Sequence, residues 1–150
     1  MSKSFEDLLS KVSECEMKKV AVAVAQDSAV LEAVAAAKER GIAEAILVGD
    51  ADKIKEVAEA DKVDISGFEI IDEKDNYEAA LKAVNLVHEG KADMYMKGLI
   101  DTKSFLKSVL DKEVGLRTGK ALSHVCVFEV EGIDHLLFLT DVAFMTYPTL

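Results

Sequence analysis

The sequence predicts an α/β protein of three layers, with helices on both faces of a mostly parallel sheet and an antiparallel hairpin near the carboxyl terminus. Three observations point there. Short β-branched runs alternate with stretches of helical period, the pattern of repeated right-handed strand–helix units. Aromatic residues make up only 6% of the 150 residues and Trp is absent, so Ala, Val, Leu and Ile must fill the core, as in buried parallel strands. Near the end, two β-rich runs lie only four residues apart, which is hairpin spacing.

Taken in order, residues 19–25 form the first short β-branched run, read as a fully buried strand. Asp27 or Ser28 then caps a helix whose stripe is Val30, Leu31, Val34 and Ala37, and Gly41 ends it. Residues 45–48 are the second strand, closed by Gly49. Asp50 caps a shorter helix carrying Ile54, Val57 and Ala58. Residues 68–71 are the third strand. Asp75 with Glu78 resembles a capping box opening a helix that carries Ala80, Leu81, Val84 and Val87 and closes at Gly90. Residues 92–96 are the fourth strand, and Thr102 is expected to cap the helix that follows, with Phe105, Leu106, Val109 and Leu110 inward. Residues 123–130 and 135–140 make the hairpin around Glu131-Gly132-Ile133-Asp134, so the sheet is expected to be mixed.

Charge and composition exclude several classes. A formal net charge of -10 argues against nucleic acid, whose affinity comes from clustered Lys and Arg. No run is long and apolar enough for a bilayer, and residues 1–7 hold no apolar leader core. Cys15 and Cys126 share no motif and read as two buried thiols of a reducing cytosol. The expectation is a cytoplasmic protein. Residues 141–150 are apolar almost to the last residue, whereas natural domains usually finish in a polar, frayed tail. This ending predicts that residues 1–150, a single α/β domain, are an amino-terminal piece of something longer, with an exposed apolar patch near Phe144–Leu150 that promotes self-association into a homo-oligomer.

In open α/β sheets ligands bind beyond the carboxyl ends of the strands. The turns with Gln26-Asp27-Ser28 and with Gly49-Asp50 each place a carboxylate where an anion would sit. The turn after the fourth strand offers Lys97, Gly98 and Thr102, although Asp101 opposes an anion there. Arg117, one of two arginines, lies between Gly115 and Gly119; its rigid fork suits phosphate oxygens. Lys97, the helix start and Arg117 are therefore expected to converge on an oxyanion. Ser123-His124-x-Cys126 lacks the second Cys/His pair of a zinc site and any nucleophile elbow, and no metal is expected. His88 and His135 read as structural. Asp141 at the end of an apolar run either caps a turn or faces a cleft. The Gly-x-Gly-x-x-Gly and Walker A patterns are absent.

Met96-Lys97-Gly98 through Leu116-Arg117-Thr118-Gly119, with Ser123-His124-Val125, resembles the phosphate acetyl/butyryl transferase family, nearest its butyryl-transferring branch. Weaker likeness extends over residues 20–50 and Thr140-Asp141-Val142-Ala143. The resemblance implies two α/β domains with a site between them, residues 1–150 being the amino-terminal one, and the reversible reaction of acyl-CoA (butyryl-CoA) with phosphate to give acyl phosphate and CoA. Coenzyme A is then a substrate, with no covalently bound cofactor, and the partners are phosphate, acyl phosphate and acyl-CoA, with neither nucleic acid nor membrane. Arg117 and Thr118 match the family's Arg-Thr/Ser element at the acyl phosphate and are the expected catalytic residues. Lys97, Gly98, Thr102, Gly119 and Ser123 are the expected substrate-binding residues. No general base stands out, and residues 1–150 alone are expected to be inactive. The alternative is a non-catalytic α/β module that binds a phosphorylated metabolite or a protein partner.

Overall fold

A computed structural model describes residues 3–141, 143–145 and 147. The chain divides into two compact units, one of residues 16–117 and one of residues 1–15 with 118–150.

The first unit holds four strands, β1 (Lys18–Ala23), β2 (Ala43–Gly49), β3 (Glu69–Asp72) and β4 (Met94–Lys97), with helices α2 (Ser28–Glu39), α3 (Ala51–Ala60), α4 (Asn76–His88) and α5 (Thr102–Val109). All pairings are parallel and the order is β3-β2-β1-β4. Val22 sits opposite Leu47 on one side and Met96 on the other. Alternation along β1 sends Ala21 and Ala23 to one face and Val22 to the other. The first face packs on Ala79, Ala80 and Ala83 of α4, three small residues that let helix and sheet approach closely, with Phe105 of α5 at its margin. The second packs on Leu31 and Val34 of α2 and on Ile54 and Ala58 of α3. Leu31, Leu47 and Ile54 are fully buried, each stabilising the fold by about 1.5–3 kcal/mol. The three-layer arrangement follows from strands that are apolar on both faces.

Four expectations need correction or addition. Of the two cysteines expected to be buried, Cys15 is exposed and Cys126 is half-buried. Asp101, not Thr102, caps α5: the Asp101 side chain accepts from Ser104 N–H, and Thr102 is the first helical residue. The hairpin exists, as β5 (Cys126–Phe128) paired antiparallel with β6 (Leu137–Leu139), but it forms its own two-stranded sheet rather than joining the parallel one. Helix α1 (Phe5–Val12) was not expected, although Phe5, Leu9 and Val12 at i, i+4 and i+7 carry its signature. Ser4 caps it by accepting from Asp7 N–H.

The second unit comprises α1 and the hairpin, linked where Phe5 N–H donates to Glu129 Oε2 at 2.8 Å. Phe128, Leu137, Phe138 and Leu139 are exposed there. Of the apolar ending, Val142, Thr146 and residues 148–150 lie outside the described residues. Among the described residues no helix is long and apolar enough to cross a membrane.

Candidate functional site

The strand order reverses at β1. Strands β1 to β3 step outward one way and β4 returns on the other side, making a switch point between the carboxyl ends of β1 and β4. The turns beyond those ends form a rim with two open cavities of about 540 and 460 Å³. Lys53, Asn76 and Leu99 line both; Lys74 and Ser104 line one and Gln26 the other. A larger depression of about 630 Å³ lies between α2 and the loop leading into β3, away from the strand ends. Its Lys38 is already engaged, donating to Gly67 O at 2.7 Å and lying 4.8 Å from the Phe68 ring centre.

Each helix of this unit begins at the rim with an aspartate cap. Asp27 accepts from Val30 N–H, Asp50 from Lys53 N–H, Asp75 from Tyr77 and Glu78 N–H, and Asp101 from Ser104 N–H. The Lys53 N–H holds the Asp50 carboxyl below its ordinary value, and hydrogen bonds from Ser104 do the same for Asp101. At α5 the Ser104 N–H, one of those expected to receive an oxyanion, is thus already partnered by the chain's own carboxylate. Cationic side chains remain. Lys53 lies 3.5 Å from Asp50, Lys74 3.8 Å from Asp52, and Lys97 donates to Gly98 O at 3.5 Å. All three ammonium groups are on exposed side chains that can turn toward a ligand.

Gly98 is where the turn touches the sheet. Its N–H donates to Ala23 O at 2.9 Å, and a Cβ there would come within 2.5 Å of Ala23 O and closer still to Val24 O. Only glycine fits that approach.

Arg117 is exposed and has no hydrogen bond or ion pair among the described residues. The residue before it is tied elsewhere: Leu116 N–H donates to Val109 O at 2.8 Å, at the far end of α5, about 10 Å along the helix from Thr102. Gly115 O receives His88 Nδ1 at 3.0 Å at the end of α4. No hydrogen bond or ion pair among the described residues joins Arg117 to Lys97, Gly98 or Thr102. Thr118, Gly119 and Ser123 belong to the other unit. There Thr118 Oγ1 accepts from Lys120 N–H at 3.4 Å, Gly119 has φ +76°, and all three are exposed.

His124 and Cys126 share one side, with Sγ 3.6 Å from Nδ1, and the His124 ring meets Phe144 edge-on. Among the described residues no group of three or more His, Cys, Asp or Glu side chains is placed to hold a metal. Asp141 caps a turn: its carboxylate accepts N–H groups from His124, Ala143 and Phe144.

Sequence reasoning passed over Lys53, Lys74 and Asn76. Lys74 carried a usable signal, a lysine directly before the Asp75 cap in the third crossover turn, a neighbourhood like that of Lys97 before Asp101.

The family model described as phosphate acetyl/butaryl transferase matches residues 4–80 and 75–150. A phosphate butyryltransferase of Clostridium acetobutylicum is 63% identical over 150 residues, covering all of this chain and 50% of that protein. One of Clostridium beijerinckii is 62% identical over 148 residues, covering 99% of this chain and 49% of that protein. Among solved structures, a branched-chain phosphotransacylase from Enterococcus faecalis V583 superposes with a TM-score of 0.72 at 28% identity, over 89% of this chain and 46% of that one. The chain spans about half the length of the curated relatives it matches.

Proposed function

Because this chain belongs to the phosphate acetyl/butyryl transferase family, we propose that it takes part in reversible acyl transfer between coenzyme A and inorganic phosphate. The observation that carries this is end-to-end likeness, 63% identity across all 150 residues, to a phosphate butyryltransferase. A second butyryltransferase at 62% supports butyryl as the acyl group.

In that reaction a phosphate oxygen attacks the thioester carbonyl carbon, the C–S bond breaks, and the CoA sulfur leaves and takes a proton. Negative charge gathers on the carbonyl oxygen and on the phosphate. Fixed donors stabilise it most where water is excluded. In our reading Arg117 and Thr118 hold the acyl phosphate, and Lys97, Gly98, Thr102, Gly119 and Ser123 contribute to substrate binding. Lys53, Lys74 and Asn76 join them as rim donors, because helix starts capped by aspartate leave anion recognition to side chains. The complete site needs further polypeptide, of the kind that makes up the other half of the relatives. The same proposal has the enzyme working in the cytoplasm as a homo-oligomer, with the exposed Phe138 and Phe144 supporting self-association.

The test is a chimera joining residues 1–150 to the carboxyl-terminal half of the Clostridium acetobutylicum phosphate butyryltransferase, assayed for thiol release from butyryl-CoA with phosphate. Turnover by the chimera and none by residues 1–150 alone is the expected result. A folded chimera without phosphate-dependent thiol release overturns the activity, and acyl phosphate formation by residues 1–150 alone overturns the shared site.

A further inference from the structure

In a regular strand successive peptides face opposite sides, so adjacent carbonyls cannot serve the same neighbour. The end of β1 breaks that rule. Gly98 N–H donates to Ala23 O at 2.9 Å and Leu99 N–H donates to Val24 O at 2.8 Å, so two consecutive carbonyls face the end of β4. The other end of the second peptide, Ala25 N–H, donates to Val48 O of β2 at 3.1 Å. A single peptide, between Val24 and Ala25, thereby ties together chain segments from three adjacent strands.

The tie depends on Val24 lying at φ +58°. A β-branched residue there is a true outlier, because Cβ crowds its own backbone. The Val24 side chain is fully buried, packed in the core cluster that includes Ala21, Ile46 and Val48. The surroundings therefore hold a conformation that valine itself opposes, and such outliers persist where structure is organised for a site.

What the tie holds is Leu99. It is 55% exposed and lines both cavities, beside the polar Lys53, Lys74, Asn76 and Ser104 and continuous with the apolar Val57, Ala60 and Ile100 of their walls. We propose that Val24 is a positioning residue whose reversed backbone fixes Leu99 over the end of the central strand, and that Leu99 is the contact for the short acyl chain of the substrate. The second half of this rests on the acyl-transfer reading; the first half does not.

Two measurements separate them, the first on residues 1–150 and the second on the chimera. Val24→Gly and Val24→Ala are compared by thermal melting and by amide hydrogen exchange. At an ordinary strand position glycine is the less stable of the pair. At a left-handed one the order reverses, so Val24→Gly should melt at or above Val24→Ala, with the Leu99 amide slowly exchanging in the unaltered protein. The opposite melting order, or a Leu99 amide that exchanges as fast as an unprotected one, overturns the positioning role. The chimera with the carboxyl-terminal half of the Clostridium acetobutylicum enzyme, in which the site is complete, is then titrated with butyryl phosphate and separately with inorganic phosphate, following Leu99 methyl signals. Butyryl phosphate should move them and inorganic phosphate should not, and Leu99→Ser should weaken butyryl phosphate roughly fourfold for each methylene no longer covered. Still Leu99 methyls while other rim residues respond to butyryl phosphate overturn the acyl contact and leave the acyl-transfer reading standing. Silence of the whole rim toward both ligands counts against that reading as well as the contact, and the melting and exchange data alone then judge Val24.

Discussion

The backbone N–H of His124 donates to Asp141 Oδ2 at 2.7 Å, while Asp141 Oδ1 takes the Ala143 and Phe144 N–H groups at 2.8 Å each. One carboxylate thus stitches the segment before β5 to the turn after β6. The Phe144 N–H is foremost in holding the Asp141 carboxyl down at about 2, against an ordinary 3.8. A depressed carboxyl stabilises the fold above its unfolded value and loses that contribution as pH falls through the folded one. The His124, Ala143 and Phe144 amide signals should therefore hold steady above pH 3.8 and change on acidification from there toward about 2. Asp141→Asn should abolish that dependence.

Tyr95 Oη lies 2.8 Å from Ser108 Oγ and donates to Ala80 O at 3.2 Å, and the Tyr95 ring stacks on Phe105. Burial pushes the Tyr95 phenol up to about 12. In an alkaline absorbance titration, Tyr95 should ionise near that value, and a Tyr95→Phe protein should lose this late step. Tyr95→Phe should also cost about 1 kcal/mol in urea unfolding, the worth of a typical hydrogen bond.

Gly98→Ala should be among the most damaging single-carbon additions in the chain. The new methyl meets the Ala23 and Val24 carbonyls, which are backbone and cannot swing aside. A loss of about 1–3 kcal/mol is expected from overpacking, read by chemical denaturation.

Asp101→Ala and Thr102→Ala distinguish the true helix cap. Asp101→Ala should lower the melting temperature measurably, because the Ser104 N–H loses its acceptor. Thr102→Ala should leave it nearly unchanged.

In the chimera, Arg117→Ala should cut turnover sharply with no change in melting temperature, since Arg117 is exposed and makes no hydrogen bond or ion pair among the described residues. Undiminished turnover removes Arg117 from the proposed site.

The strands β1 and β2 are legible in sequence because both faces are buried, which leaves unbroken β-branched and alanine runs. The caps Asp27, Asp50 and Asp75 are legible because capping is local chemistry between a side chain and an N–H two or three residues on. Asp101 was missed because Thr102 is also a good cap. The choice between them is settled by the Gly98–Ile100 turn, where Ile100 N–H donates to Gly98 O and delays the helix. The hairpin was legible, but its separation from the parallel sheet was not, since pairing partners of an edge are set by the whole fold. The rim gathers Gln26, Lys53, Lys74, Asn76 and Leu99 from four different turns, and only the strand order makes them neighbours. Val24 hid for another reason: valine is the last residue one would assign to a left-handed backbone.

The self-capping of four helices has a practical corollary for selectivity. A tethered carboxylate does not dilute away, so sulfate or chloride from the medium gains little by competing for those amides. Discrimination among anions at the rim then falls to its side chains, Lys53, Lys74 and Asn76 among them.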